Sequence, residues 1–287
     1  MNDNLLFQNY LVVFLDHLGQ RKILEEISEL PTSPDEQQKF IQLIKETHGK
    51  VSALRGIFRR YFDESKKYRP NVNLVPPEFQ EEFIALQKSE EYYYPISDSG
   101  VIAVPLMNND ENCKAINGVL SAFTATSNIG LLSLSCKVAL RGGLEVGIAT
   151  QIEPKEIYGP GLARAYYIES EISEYPRFVI GHELIHYLKW VESQQCTTRL
   201  GSYAKEIAKL CWQMIIRDTD GRYMLDFLGA KVKEIAGNSI DSKDVKNALA
   251  FVKSQYEQFV TEKNEKLASR YYRLLNYFSS RLTVWGL

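Results

Sequence analysis

The sequence predicts an α+β fold in which a β-sheet carries helices on one face and a helical C-terminal extension follows. Short apolar runs rich in β-branched and aromatic residues, such as 10–15, alternate with longer stretches of helical apolar spacing. A Ser-Asp-Ser-Gly segment at 97–100 joins two of these runs and is typical of a hairpin turn. The final stretch, 242–281, has helical apolar spacing.

The N-terminal part is predicted to contain one strand followed by helices. The strand at 10–16 ends in Asp16, and 20–30 has the apolar spacing of a helix. The Ser-Pro-Asp-Glu run at 33–36 is typical of the capped start of a second, longer helix. The segment 63–90 is charged and contains three prolines, so we expect a connector there with at most one short helix.

The middle of the chain completes the predicted sheet. The elements expected here are a hairpin at 92–105, helices at 112–134 and 161–172, and strands at 141–150 and 178–180. Within the longer strand, Gly142 and Gly143 would let another backbone or a ligand come close. The resulting β-α-β-β-α-β-α-β order matches a ferredoxin-like sheet.

The C-terminal part is predicted to be an extension of the sheet domain. The Asp-Gly pair at 220–221 predicts a β-hairpin within 214–227. The apolar stripe of 242–281 is typical of core or dimer packing. The chain therefore divides into a sheet domain at 1–192, with a helical insertion at about 33–90, and an extension at 193–287.

The amino-acid composition limits the classes of protein to which this chain could belong. The 287 residues are 45% hydrophobic, enough for one substantial core, and the net charge of −2 gives no bias toward nucleic acid or membrane partners. The four cysteines are widely separated and predict reduced thiols. Residues 1–4 lack the basic start of a signal peptide, and the apolar run at 11–15 is too short to span a bilayer. We expect a cytoplasmic protein.

Two aspartates are the main candidates for chemistry. Asp16 ends the first predicted strand, and Asp98 lies in the turn of the predicted hairpin. If the two strands are neighbours, both carboxylates reach the same edge of the sheet, where they would suit Mg²⁺ or Mn²⁺. Each aspartate also has an ordinary interpretation, as a helix cap or as a turn residue.

A series of motifs in a fixed order surrounds these aspartates. They are Phe-Leu-Asp-x-Leu-Gly at 14–19, Ser-Asp-Ser at 97–99, and the segments 140–148, 157–169, 175–180 and 216–226. Their order resembles the class III nucleotidyl cyclases. The Gly-Pro-x-x-x-x-Ala-Tyr-x-x-Glu motif followed by Tyr-Pro-Arg is most similar to the pyrimidine cyclases of the bacterial Pycsar anti-phage systems, and the resemblance runs over about 10–188.

The resemblance implies an activity and a cofactor. A homodimeric enzyme of this kind would convert a nucleoside triphosphate, UTP or CTP in this branch, to the 3′,5′-cyclic monophosphate, cUMP or cCMP, and pyrophosphate. The product would act as a second messenger in anti-phage defence. Asp16 and Asp98 would be catalytic because together they would hold two Mg²⁺ or Mn²⁺ ions.

Candidates for nucleotide binding follow the first aspartate. The backbone amides of Gly19, Gln20 and Arg21 begin the predicted helix after Asp16, and the N-terminus of a helix suits a triphosphate. The side chain of Arg21 would add positive charge.

Two further arginines are candidates because the chain departs from the wider family. Ala163 and Tyr167 occupy positions where many class III enzymes carry an asparagine and a transition-state arginine. Arg141 and Arg164 are therefore the nearest candidates for that charge, from the same chain or from a partner chain. The departure also leaves open a catalytically inactive cyclase-fold module for nucleotide binding or dimerisation.

A third interpretation comes from the His-Glu-x-x-His sequence at 182–186. Its two histidines would share one helix face and could bind zinc with Glu183 as a general base, as in metallopeptidases. No Gly-x-x-His extension follows, and Glu192 lies too near in sequence to be the usual distant third ligand. The peptidase interpretation is therefore the weakest of the three.

Overall fold

The structure, a computed structural model, describes residues 6–19, 29–65, 76–86, 89–106, 113–153, 156–196 and 198–287. Eight strands in this part of the chain form one sheet in the order β2-β3-β1-β4-β6-β8-β7, with β5 paired to β4. The strands are β1 (Gln8–His17), β2 (Tyr92–Ile96), β3 (Ser99–Pro105), β4 (Leu140–Glu153), β5 (Glu156–Tyr158), β6 (Phe178–Ile180), β7 (Ile215–Arg217) and β8 (Tyr223–Leu225).

Helices connect and cover these strands. Within the described ranges they are α1 (Pro34–Ser65), α2 (Pro77–Leu86), α3 (Cys113–Ser135), α4 (Pro160–Tyr167), α5 (His182–Ser193), α6 (Arg199–Gln213), α7 (Ala230–Ala236), α8 (Ser242–Thr261) and α9 (Glu265–Ser279). A π-helical turn, Ile168–Ile172, continues α4. The predicted α+β class is confirmed. Most of the helix predicted at 20–30 lies outside the described residues.

The central strand β1 is buried on both faces. Leu11, Val13 and Leu15 point into the larger core, whereas Val12 and Phe14 point into a smaller one. Alternate residues of a strand face opposite sides of the sheet. A strand that is buried on both sides therefore has a continuous run of apolar residues in its sequence. The smaller core is covered by α4, which packs on β1 and β4. Helices therefore lie on both faces, whereas the prediction placed them on one.

The C-terminal segment joins the same sheet. β8 pairs with β6 and with β7, so the predicted hairpin near residue 220 adds two strands at one side of the sheet. Helices α8 and α9 pack against each other, and α8 also packs on α3. A capping box in which Asp241 and Asp244 satisfy backbone amides starts α8.

Among the residues that the structure describes, one helix is long and apolar enough to span a membrane. It is Ala115–Ser135 within α3. An 18-residue stretch of this helix has a mean hydropathy of 1.2, and 94% of that stretch is buried inside the protein. The buried side chains pack against strands and against α1, α6 and α8. This helix therefore forms the centre of the larger core.

Gly143 lets α4 and the turn after it approach β4, as the glycine pair predicts. A Cβ atom at Gly143 would collide with the carbonyl oxygen of Ala165 and would lie 2.8 Å from the amide nitrogen of Glu169. Both are backbone atoms, which cannot rotate away.

We expect Gly143→Ala to lower the free energy of unfolding by about 1–3 kcal/mol, as overpacking does. The control is Gly56→Ala in α1, where a Cβ meets nothing within 4 Å. Because alanine favours a helix more than glycine, this variant should gain about 0.5–1 kcal/mol. Urea denaturation of both variants tests the contrast, and equal stability of the two would contradict it.

Candidate active site

Sheet pairing brings the two predicted aspartates to the same end of the sheet. Asp16 is the penultimate residue of β1, where it pairs with Ser99 at the start of β3 on one side and with Arg141 at the start of β4 on the other. Asp98 directly precedes Ser99, in the two-residue turn between β2 and β3. Ser97, the other turn residue, has a φ of 51°, a left-handed conformation that such tight hairpin turns require.

Asp16 is half-buried and has polar neighbours on both sides. The Ser99 hydroxyl donates a hydrogen bond to Asp16 Oδ1 at 2.9 Å, and Arg141 Nη2 lies 3.6 Å from Asp16 Oδ2. Burial raises the pKa of Asp16 above its ordinary value, and the charge of Asp98 raises it further. The hydrogen bond from Ser99 and the charge of Arg141 oppose this rise.

A third carboxylate, Glu169, completes the cluster from the π-helical turn. It is 2% exposed, and its Oε1 forms an ion pair with Arg141 Nε. Burial raises the pKa of Glu169 to about 7, although the nearby Arg141 guanidinium opposes the rise. The sequence motif contained this glutamate without assigning it a role. Its contact with Arg141 depends on the packing of the turn after α4 against β4. A local sequence pattern does not predict such packing between distant segments.

The raised pKa of Glu169 makes a testable contribution to stability. A carboxyl whose pKa rises from 4.5 to about 7 on folding favours the folded state below pH 4.5, and this contribution is lost as pH rises toward 7. We therefore expect the free energy of unfolding of the wild type, relative to Glu169→Gln, to fall between about pH 4.5 and 7 and to level off above about pH 8. Urea denaturation across this range measures it, and a constant difference would contradict the expectation.

His17 is neutral beside this cluster. Burial lowers the pKa of His17 to about 4, and the charge of Lys50 adds to this effect. Neither ring nitrogen has a hydrogen-bond partner among the described residues. A cavity of about 20 Å³ adjoins its ring and reaches Asp16 and Asp98. Arg141 is therefore the cation in contact with the carboxylates in the described part of the site.

The donor set fits a hard divalent cation. The charge of Asp98 disfavours ionisation of Asp16, an effect that a bound cation would relieve. Both offer carboxylate oxygens at the end of two neighbouring strands, which Mg²⁺ and Mn²⁺ prefer to nitrogen ligands. These two aspartates are the residues that would hold such ions.

Of the predicted nucleotide-binding residues, Gly19, Arg141 and Arg164 are among the described residues. Gly19 follows β1 in a turn with a φ of 91°, three residues after Asp16. Gln20 and Arg21 lie outside the described residues, so their predicted role stays a prediction. Arg141 lies at the carboxylates, as described above.

Arg164 lies near the middle of β4, away from the carboxylates. It is exposed on α4, where its Nη2 donates to the carbonyl oxygen of Val146 at 3.2 Å. Val146 is five residues along β4 from Arg141, which corresponds to roughly 17 Å at 3.3 Å per residue. Within one chain, Arg164 is therefore not brought to Asp16, and its role in nucleotide binding stays a prediction.

The His-Glu-x-x-His sequence also lies away from the carboxylates. It begins α5, which follows β6, and the Leu184 amide donates to Glu145 Oε1 on β4 at 2.9 Å. His182, Glu183 and His186 are all exposed. Glu183 and His186 line a pocket of about 590 Å³ that also includes Arg164 and Trp190.

Comparisons with known proteins leave the family open. No protein-family model matches the chain, and no curated protein matches its sequence. Among solved structures, the chain is similar to the crystal structure of the adenylyl cyclase CyaB from P. aeruginosa, with 16% sequence identity and a TM-score of 0.35. The match covers 66% of this chain and 84% of that chain. At this TM-score the similarity identifies neither family nor activity, so a functional argument has to rest on the geometry of the site.

Proposed function

We propose that the protein is a nucleotide cyclase that converts UTP or CTP to the 3′,5′-cyclic monophosphate and pyrophosphate. The observation that carries the proposal is the meeting of Asp16 and Asp98 at one end of the sheet, with Arg141 beside them. Two carboxylates next to a cation suit a phosphoryl transfer that depends on positioning and charge neutralisation. The motif order around the same residues supports a cyclase among enzymes of this chemistry.

Each residue of the cluster has a proposed role. Asp16 and Asp98 would hold two Mg²⁺ or Mn²⁺ ions, which when bound lower the pKa of the ribose 3′-hydroxyl and offset charge on the phosphates. Ser99 fixes one oxygen of Asp16, which leaves the other oxygen directed toward Arg141. This arrangement orients the carboxylate before substrate arrives.

Arg141 is proposed to stabilise the charge that develops on the α-phosphate. Its ion pair with the buried Glu169 restricts the guanidinium, so less conformational entropy is lost when a phosphate binds. Glu169 touches neither substrate nor metal in this proposal, and it acts as a positioning residue for Arg141.

We further propose a homodimer in which Arg164 serves the site of the second subunit. This proposal is supported by the exposure of Arg164 and by its contact with Val146, which lies five residues along β4 from Arg141. Aromatic side chains around it are also exposed, including Tyr166 at 54% and Tyr167 at 58%, as expected for a face that pairs with another copy.

Complementation tests this arrangement. Asp98→Asn and Arg164→Met should each be inactive alone, because each removes one half of every site. Mixed in equal amounts and allowed to exchange subunits, they should recover about a quarter of wild-type activity, because half of the dimers then contain one intact site. No recovery, with dimers shown by ultracentrifugation, would contradict a role for Arg164 in the site of the second subunit.

A product screen tests the reaction itself. The purified protein is incubated with Mn²⁺ and separately with ATP, GTP, CTP or UTP, and mass spectrometry detects cyclic monophosphates. We expect product from a pyrimidine nucleotide, since the branch resemblance implies UTP or CTP. A purine product would overturn the substrate choice alone. No product from any nucleotide, with nucleotide binding retained, would instead indicate an inactive nucleotide-binding module.

The biological role of the product is also part of the proposal. The motif resemblance implies a second messenger in anti-phage defence. The cyclic nucleotide should therefore rise in cells that express the protein after phage infection, and it should not rise with Asp98→Asn. Extraction and mass spectrometry of the cyclic nucleotide before and after infection measure this.

A further inference from the structure

We propose that His182, Glu183 and His186 form a binding site for Zn²⁺ that is separate from the carboxylate site. Each of the three side chains offers one ligand atom, and these atoms all lie within 4.8 Å of one another. The proposal does not depend on cyclase activity, because the three residues lie on α5, away from Asp16 and Asp98.

The contacts among the three side chains bring their donor atoms together. Glu183 Oε1 lies 3.4 Å from His182 Nδ1, and Glu183 Oε2 lies 3.8 Å from His186 Nδ1. The two imidazole rings approach to 3.8 Å between centroids. Each carboxylate oxygen therefore lies near the Nδ1 atom of one imidazole, so that one ion could contact all three groups.

Packing into the core does not explain why these three side chains lie together. The side chains of His182, Glu183 and His186 are 73%, 47% and 54% exposed. The core contacts of α5 come instead from the opposite face of the helix, through Leu184 and Leu188, which are fully buried. Exposed surface residues contribute little to stability, so the arrangement is free to serve a ligand.

The first turn of α5 holds the donors on a rigid support. Buried Glu145 on β4 accepts hydrogen bonds from the amides of Leu184 at 2.9 Å and Val146 at 2.8 Å. The amide of Gly181, just before the helix, donates to the carbonyl oxygen of Leu144 at 2.8 Å. These bonds tie the start of α5 to the central sheet, which limits the entropy that metal binding would cost.

The ligand types select zinc over the ions expected at the aspartates. Imidazole nitrogen suits Zn²⁺, whereas Mg²⁺ prefers oxygen ligands in octahedral geometry. Three protein ligands leave a coordination position open, and the adjoining pocket of about 590 Å³ reaches Glu183, His186 and Arg164.

The geometry also separates this site from a metallopeptidase centre. In that chemistry the glutamate of the motif is a general base and does not bind the metal. Here the Glu183 carboxylate oxygens lie 3.4 and 3.8 Å from Nδ1 of the two histidines, so we assign Glu183 as the third ligand. The site is therefore proposed for metal binding without peptide hydrolysis.

Equilibrium dialysis of the full chain against Zn²⁺, followed by metal analysis, tests the proposal. We expect one zinc ion per chain, and we expect His182→Ala, His186→Ala and Glu183→Gln each to weaken binding by about tenfold or more. The matched control is His48→Ala, which removes an exposed histidine from α1 and should leave binding unchanged. Thermal unfolding shows whether each variant is folded.

Two further measurements make the outcome decisive. Co²⁺ in place of zinc should give visible absorption bands that disappear in His182→Ala and His186→Ala. Asp98→Asn should bind zinc like the wild type, so loss of the proposed cyclase function would not affect this result. Absence of stoichiometric zinc in the wild type, or zinc retained by the double histidine variant, would overturn the proposed site.

Discussion

Asp98→Asn and Asp16→Asn should each abolish formation of the cyclic nucleotide, with kcat/KM reduced by about 10³-fold or more. Each substitution removes one negative charge from the pair that would hold the catalytic ions. Such ions stabilise a transition state by several kcal/mol. Because about 1.4 kcal/mol corresponds to a tenfold change in rate, losing the ions should slow the reaction by several powers of ten. Initial rates of product formation, measured by mass spectrometry over a range of Mn²⁺ concentrations, give the loss.

The shape of the site should survive both substitutions. An asparagine at 16 keeps an oxygen that can accept the hydrogen bond from Ser99, now seen at 2.9 Å to Asp16. Both variants should therefore unfold close to the wild-type temperature. Asp35→Asn, at an exposed position in the first turn of α1, is the matched control and should retain full activity. More than a tenth of wild-type activity in Asp98→Asn would contradict the assignment.

Arg177→Met should cause the largest loss of stability. The Arg177 side chain is fully buried and forms ion pairs with Asp218 and with Asp220, the latter at 2.6 Å. It also donates to the carbonyl oxygen of Ile172 at 2.9 Å and lies over the ring of Tyr175. The one side chain thus joins β6, the π-helical turn and the β7–β8 hairpin.

Removing this guanidinium takes the buried ion-pair partner from two partly exposed carboxylates, Asp218 and Asp220. Burial alone would raise the pKa of Asp220, but its hydrogen bonds to Arg177 and to the Arg222 amide, together with the charges of Arg177 and Arg273, lower that pKa to about 2. Breaking a buried ion pair costs about 3–5 kcal/mol, and the lower end of this range applies here because both aspartates keep some contact with water. We therefore expect the melting temperature of Arg177→Met to fall by about 6 °C or more.

The control for Arg177→Met lies on the same hairpin. Arg222 is exposed, so Arg222→Met should change the melting temperature by no more than about 2 °C, as exposed substitutions usually do. Differential scanning calorimetry of the two variants measures the contrast. An Arg177→Met protein as stable as the wild type would show that Arg273, which also contacts Asp220 at 3.2 Å, can replace the lost charge.

Local patterns in the sequence predicted most of the sheet. The apolar run at 10–15, the Ser-Asp turn at 97–98 and the Asp-Gly turn at 220–221 each specify a strand or hairpin through short-range rules, and β1, β2–β3 and β7–β8 are found there. The glycine pair at 142–143 predicted close backbone approach, and Gly143 provides it. These features depend on residues near one another in sequence.

Contacts between distant segments could not be predicted in the same way. The ion pair of Arg141 with Glu169 and that of Arg177 with Asp218 require the order of strands and the packing of α4 against β4. Likewise, Arg164 is near Glu169 in sequence, yet it contacts Val146 near the middle of β4, five residues along the strand from Arg141. Side-chain direction changes along a helix and along a strand, so proximity in sequence does not place two charges in one site.

Counting bound Mn²⁺ by electron paramagnetic resonance tests the central claim most directly. The protein is titrated in the presence of a 3′-deoxynucleoside triphosphate, which lacks the attacking hydroxyl and cannot be cyclised. A His182→Ala/His186→Ala background keeps the proposed zinc site from contributing. With Asp16 and Asp98 intact, we expect about two bound ions per site, and with Asp98→Asn we expect most of this binding to be lost. Equal Mn²⁺ binding with and without Asp98 and Asp16 would contradict a catalytic metal site at this end of the sheet.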